Sequence, residues 1–201
     1  MKRIGIRSCL AAFVLAGCAG APPPPDWQLN AQSALAAFER HYLSGDTRLA
    51  EQEFARAKAE IARTGRGDLV ARAELVRCAA RAASLEFDDC PGFEAVRADA
   101  GAEEVAYAEY LAGLRERAVA EDPLSRLVAA GVHLRSGTVT PAAIAGAVDV
   151  ASAQGWRRPL LAWLGVQLKR AEAAGDLNAA LGLRRRIERV SASQVDRAHP
   201  Q

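Results

Sequence analysis

Apolar residues recur through most of the chain at intervals of three and four positions, which is the spacing of one face of an α-helix. The stretch 47–63 shows this pattern clearly, with Leu49, Phe54, Ala57 and Ile61 at helical spacing. Alanine supplies 45 of the 201 residues and aromatic residues only 5%, a composition that favours helices over strands. The sequence therefore predicts an all-α fold.

Glycine and proline residues divide this pattern into eight predicted helices. Four of them cover approximately 29–43, 47–63, 68–85 and 103–119. Pro123 opens a fifth helix that ends at Gly137, and Thr140 caps a sixth that ends before Gly155. Two more helices are separated at Gly175 and end near residue 192. Loops this short indicate antiparallel helix pairs.

The first predicted helix pair has small and aromatic residues at characteristic offsets: Gly45, Ala50, Phe54 and Ala57. The segment 29–63 thereby resembles a tetratricopeptide repeat, in which small residues let two helices approach and the aromatic fills the gap beneath them. Around Gly175 the turn and Ala180 recur, but Arg184 stands at the aromatic position. The resemblance implies helix pairs stacked as a right-handed solenoid, and a generic helical bundle is the alternative.

The N-terminus has the organisation of a secretory signal peptide. Residues 1–17 contain three basic residues, no acid and a short apolar run. Because that run is much shorter than the roughly 20 apolar residues that cross a bilayer, we expect a leader that is removed.

A cysteine follows this leader in a characteristic tetrapeptide: Leu15, Ala16, Gly17 and Cys18. The tetrapeptide resembles the bacterial lipobox, which implies acylation of Cys18, cleavage before it, and attachment to a membrane facing the periplasm. The following Ala19 implies the outer membrane, because aspartate is the usual retention signal for the inner one. The alternative is an ordinary secreted protein cut near Ala19 or Ala21. Residues 18–28 would form a proline-rich linker, 29–192 the helical domain and 193–201 a flexible tail.

Charge excludes a general nucleic-acid role for the mature chain. Loss of the leader would leave 23 of the 26 basic residues against 24 acidic ones, which is close to neutrality. The segment 155–201 is nevertheless basic, with nine basic and four acidic residues. It is expected either to face an anionic lipid, a cell-wall polymer or an acidic protein, or to form an ordinary solvated helix face.

Two cysteines, Cys78 and Cys90, remain in the predicted domain. An oxidising periplasm favours their pairing, with free thiols as the alternative. Pairing requires an early end to the third helix or a sharp chain reversal before Cys90, because a helix that continues would carry the two residues apart. A metal site is not expected, since there is no CxxC spacing and the histidines are scattered.

The sequence offers no signal for an enzyme or a cofactor. It contains no nucleophile elbow, HExxH helix or glycine-rich phosphate loop. Neighbouring acids occur at Glu103 with Glu104 and at Asp88 with Asp89, but adjacent residues point in different directions and suit solvated positions better than a catalytic dyad.

Two tryptophans and two arginines gather in the stretch GWRRPLLAWLG: Trp156, Arg157, Arg158 and Trp163. This chemistry is typical of a partner-binding surface, yet tryptophans in an alanine-rich protein equally fill a core. We expect a lipid-anchored interaction adaptor of the cell envelope that serves outer-membrane assembly, cell-wall regulation, or secretion or pilus machinery. The alternative is a helical carrier or sensor of a small apolar ligand.

Overall fold

The computed structural model describes residues 23–192, and this part of the chain is entirely helical apart from turns and loops. It contains nine α-helices and one 3₁₀ turn at Arg97–Asp99. The helices are α1 Asp26–Ser44, α2 Thr47–Ala62, α3 Gly67–Ala83, α4 Pro91–Glu94, α5 Ala102–Leu111, α6 Pro123–Arg135, α7 Pro141–Ala153, α8 Arg157–Ala173 and α9 Leu177–Ala192. The predicted all-α class is confirmed.

Several helix starts follow directly from the capping residues in the sequence. The side chain of Asp122 accepts a hydrogen bond from the backbone N–H of Ser125 at 2.9 Å, and Thr140 accepts one from Ala143 at 3.1 Å. A proline opens the first turn of α6 and of α7, where its missing N–H costs no hydrogen bond. These caps place both helix starts where the sequence predicts them.

Helix α3 lies at the centre of the fold. It packs against α1, α2, α4, α5 and α6, while α6, α7, α8 and α9 pack successively on one another. Helix α1 also packs against α8. A solenoid brings together mainly neighbouring units, so the contacts α1–α8 and α3–α6 are features of a helical bundle.

The buried apolar residues form two clusters on either side of α3. One joins Phe38, Phe54 and Ile61 between α1 and α2, where the two phenylalanine rings lie 5.1 Å apart. The other, larger cluster contains Leu127 and Trp163 and extends from α3 to α8. Helices α1 and α2 therefore form the first cluster, with Phe54 packed against Phe38 between them.

Three predicted boundaries are wrong. Helix α1 begins at Asp26, inside the segment expected to be a linker, because the chain turns helical directly after the prolines. The fourth predicted helix ends at Leu111 instead of Val119, because Gly113 adopts φ +77° and the N–H of Leu114 closes on the carbonyl of Glu109.

The third predicted helix ends at Ala83 instead of Leu85. Leu85 adopts φ +61°, and the N–H of Glu86 donates to the carbonyl of Arg81, an arrangement in which glycine is the usual residue at the left-handed position. The segment that follows contains α4 and the 3₁₀ turn, which the sequence analysis did not predict. Among the described helices, none has the length and apolar character needed to cross a bilayer.

Candidate functional site

Trp163 belongs to the core. Its side chain is fully buried in the larger cluster, and its indole N–H donates a hydrogen bond to the backbone carbonyl of Ala83 at 3.2 Å. A side chain with no exposed area cannot contact a partner while the domain stays folded. Trp163 is therefore a core residue, and the prediction that it belongs to a partner-binding surface is wrong.

Arg158 connects three parts of the fold. Its guanidinium donates hydrogen bonds to the carbonyl of Tyr42 at 2.8 Å, to the hydroxyl of Thr47 at 2.6 Å and to the carboxylate of Glu86 at 3.0 Å. It also lies 4.2 Å from the centre of the Tyr42 ring. Burial raises the pKa of Tyr42. Arg158 therefore joins α8 to the α1–α2 turn, whereas the sequence pattern indicated a place in a partner-binding surface.

Arg157 and Trp156 contact the same part of the domain, near the end of α1. The Nε of Arg157 donates to the carbonyl of Ser44 at 3.1 Å, and its guanidinium lies over Gly45. Trp156 is half-buried and packs against both apolar clusters. The residues predicted as a partner surface are thus engaged within the domain: Arg157 and Arg158 donate to carbonyls of α1, and Trp156 and Trp163 pack in the core.

The structure joins Cys78 and Cys90 in a disulfide, in agreement with the expected pairing. Their Cα atoms lie 5.7 Å apart. The pairing becomes possible because α3 ends early and the chain reverses at Leu85, while Cys90 itself adopts φ +48°. The carboxylate of Asp88 accepts a hydrogen bond from the N–H of Cys90 at 3.0 Å, which fixes the loop that brings this cysteine back to α3.

Within the part of the chain that the structure describes, one group of side chains has the spacing of metal ligands: Cys78, Asp88 and Cys90. Both sulfur atoms are bonded to each other in the disulfide. Asp88 forms an ion pair with Arg81 at 3.0 Å. In this arrangement the two sulfur atoms and the Asp88 carboxylate are therefore engaged with other protein groups.

Helix α9 carries four arginines of the basic C-terminal segment. Helix α9 packs mainly on α8, with only Ala180 fully buried. Four exposed residues follow one another at intervals of four: Leu177, Leu181, Arg185 and Arg189. We call this set the α9 ridge. Leu177 is 74% exposed and Leu181 50% exposed, so the ridge presents apolar and cationic side chains together.

Neighbouring arginines on α9 have partners within the domain. Arg184 pairs with Glu172 at 2.6 Å, and Arg186 contacts the hydroxyl of Ser152 at 3.3 Å. Arg185 and Arg189 form no ion pair with any residue between 23 and 192. The ridge therefore presents two cationic side chains, on Arg185 and Arg189, that are available to another molecule. Cys18, the predicted lipidation site, lies outside the described residues.

A second feature, which the sequence analysis missed, is a cleft between α1, α3, α5 and α6. Its volume is about 350 Å³, within the range of small-molecule sites. Its floor is apolar and its rim polar. The floor consists of Leu75, Val76, Ala79, Leu124 and Val128, and the rim includes Glu39, Arg72, Glu103, Glu104, Tyr107 and Arg117.

Burial changes the acid–base properties of two cleft residues. Burial, together with the nearby carboxylate of Asp122, raises the pKa of Glu39. Burial raises the pKa of Tyr107 to about 12. By contrast, the hydrogen bond from Arg72 lowers the pKa of Glu104. Perturbed groups that converge in a cleft are typical of functional sites. Each residue alone resembles an ordinary polar position on a helix, so only their assembly reveals the cleft.

No protein-family model, curated protein or solved structure matches this chain.

Proposed function

We propose that the protein is a lipid-anchored interaction protein of the cell envelope, attached to the outer membrane through Cys18 and facing the periplasm. We further propose that it binds an acidic protein partner through the α9 ridge. The leader and the tetrapeptide ending at Cys18 support the location. Two acyl chains on that cysteine provide stable anchoring, whereas a single chain binds only marginally.

The observation that carries the binding proposal is the exposed α9 ridge. Large exposed leucines beside unpaired arginines combine apolar burial with charge complementarity, which steers association with an acidic surface. The alternative site at Trp156, Arg157, Arg158 and Trp163 is less suitable, because those residues are engaged inside the domain. The function is that of an adaptor, and we propose no catalytic role, cofactor or nucleic-acid partner.

A photo-crosslinking amino acid at Leu181 tests this proposal in intact cells. We expect a discrete adduct at position 181 and none at Gln52, an exposed position on α2. Arg185→Glu combined with Arg189→Glu should reduce that adduct at least fivefold. Arg48→Glu combined with Arg126→Glu makes the same charge change at other exposed positions and should leave the adduct intact. Equal adducts at positions 181 and 52 would contradict the proposal.

The cleft between α1, α3, α5 and α6 favours a second candidate function, a helical carrier or sensor of a small ligand. Its apolar floor and volume suit a ligand with an apolar body. This candidate is compatible with the same anchoring through Cys18. It depends on the cleft alone and is independent of the α9 ridge.

A further inference from the structure

Glu39 is a carboxylate of the cleft that has no positively charged side chain beside it among the residues that the structure describes. Its side chain is half-buried, and no lysine, arginine or histidine nitrogen between residues 23 and 192 lies within ion-pairing distance of it. The neighbouring carboxylate of Asp122 is unfavourable to ionised Glu39 as well.

The other acids around the cleft are compensated by the fold. Glu104 accepts two hydrogen bonds from Arg72, at 2.6 and 3.0 Å. Glu103 lies with it in the first turn of α5, where the helix dipole favours a negative charge. Asp122 caps α6 by accepting the N–H of Ser125, which holds its pKa below the usual range. Among the described acids of the cleft, Glu39 is therefore the one that has neither an ion pair nor a helix N-terminus beside its carboxylate.

An arginine of the cleft already lies against the face of an aromatic ring. The guanidinium of Arg117, from the loop between α5 and α6, lies 5.2 Å from the centre of the Tyr107 ring. Cations are attracted to the face of an aromatic ring at this separation. Tyr107 is also close enough to Glu39 and Asp122 for both acids to affect its pKa. An aromatic face and an unpaired carboxylate thus line the same cleft.

We infer that the cleft binds a small organic cation, with its ammonium or guanidinium group at Glu39 and Tyr107 and its apolar body over Leu75, Leu124 and Val128. A buried charge without a partner is unfavourable, and a cationic ligand removes that penalty at Glu39. The apolar floor favours an organic cation over a hydrated metal ion, because a metal ion has no apolar part to bury there. The inference rests on the second candidate function and specifies that its ligand carries a positive charge as well as an apolar body.

Calorimetric titration of the full lipidated chain in detergent tests this inference with two matched probes. The probes are 2-phenylethylammonium and the neutral 2-phenylethanol, each corrected by titration into detergent alone. We expect the ammonium probe to bind at least tenfold more tightly than the alcohol, because only the cation can pair with Glu39. Equal binding of both probes would overturn the inference and leave the second candidate function standing. Binding of neither probe at millimolar concentration would overturn both.

Two variants of the cleft should change binding in opposite directions. Glu39→Gln should weaken the ammonium probe at least tenfold, while Glu188→Gln, an exposed position on α9, should leave its affinity within twofold. Arg117→Ala should strengthen the probe at least threefold, since it removes the cation that competes for the Tyr107 face. A merely structural role for these residues would not give both effects, and unchanged affinity in Glu39→Gln would overturn the inference.

Folding is not expected to complicate the Glu39→Gln measurement. The pKa of Glu39 is raised in the folded state, so the folded state binds this proton more strongly than the unfolded state does. Stability then increases as pH falls from neutrality toward the ordinary pKa of a glutamate. At neutral pH the ionised side chain is unfavourable, and Glu39→Gln should unfold at a temperature equal to or above that of the wild type.

Discussion

Truncation of Trp163 to alanine should remove a large fraction of the stability of the domain. The indole is fully buried between α3 and α8 and donates a hydrogen bond to the carbonyl of Ala83. A buried tryptophan removes about 200 Å² of surface from water, which at about 25 cal/mol per Å² corresponds to about 5 kcal/mol. That figure is an upper bound, because the unfolded chain already buries part of this area.

The hydrogen bond adds to this effect, since its loss leaves a buried carbonyl without its donor. Such a loss costs about 1 kcal/mol, and large-to-small substitutions of core tryptophans cost about 3–5 kcal/mol in total. We therefore predict a loss of about 4 kcal/mol for Trp163→Ala, with the cavity term included. Trp163→Phe keeps most of the packing and should lose about half as much.

Urea unfolding followed by circular dichroism at 222 nm is the suitable assay, because tryptophan fluorescence would lose one of its reporters in the variant. The slope of the unfolding free energy with urea must stay unchanged for the comparison to hold. Trp156→Ala serves as the control, because Trp156 is only half-buried, and its loss should be clearly smaller. A loss below about 1 kcal/mol for Trp163→Ala would refute the placement of this residue in the core.

The remaining predictions concern contacts within the domain. Arg158→Ala should lower the unfolding free energy by about 2 kcal/mol in the same urea assay, because charged hydrogen bonds are lost; an unchanged midpoint would contradict that role. Gly131→Ala should be destabilising, because its Cβ would collide with the carbonyl oxygen of Ala82 on α3. Gly146→Ala places its Cβ in open space and should stabilise α7 by about 1 kcal/mol. Equal effects of the two substitutions would be inconsistent with this packing. Reduction of the Cys78–Cys90 disulfide should cost about 3 kcal/mol; coincident urea curves for the oxidised and reduced forms would argue against the bond.

Local features of the fold were accessible from the sequence because each depends on a few neighbouring residues. Thr140 followed by a proline predicts the start of α7, and Gly155 predicts its end; the structure gives Gly155 a φ of +66°. The third helix shows the limit of this reasoning. It ends at Ala83 because Leu85 takes a left-handed conformation for which glycine is the usual residue.

Long-range arrangements were not accessible in the same way. Arg158 resembled an exposed charge in the sequence, yet its partners Tyr42 and Glu86 precede it by 116 and 72 residues. The cleft has a similar origin, since Glu39 on α1 and Tyr107 on α5 lie far apart in the sequence and line the same cavity. Periodicity identifies the buried face of each helix, but it does not specify which helices come into contact through their polar side chains.

The mass of the N-terminal peptide tests the central claim most directly, because the proposed function depends on attachment of the domain to the envelope membrane. The protein should be extracted from the membrane fraction and digested. We predict a first peptide that begins at Cys18 and has the added mass of a thioether-linked diacylglycerol, while Cys18→Ala leaves either unprocessed precursor or a soluble product. An unmodified peptide that begins at Ala19 or Ala21, recovered from the soluble fraction, would contradict the account.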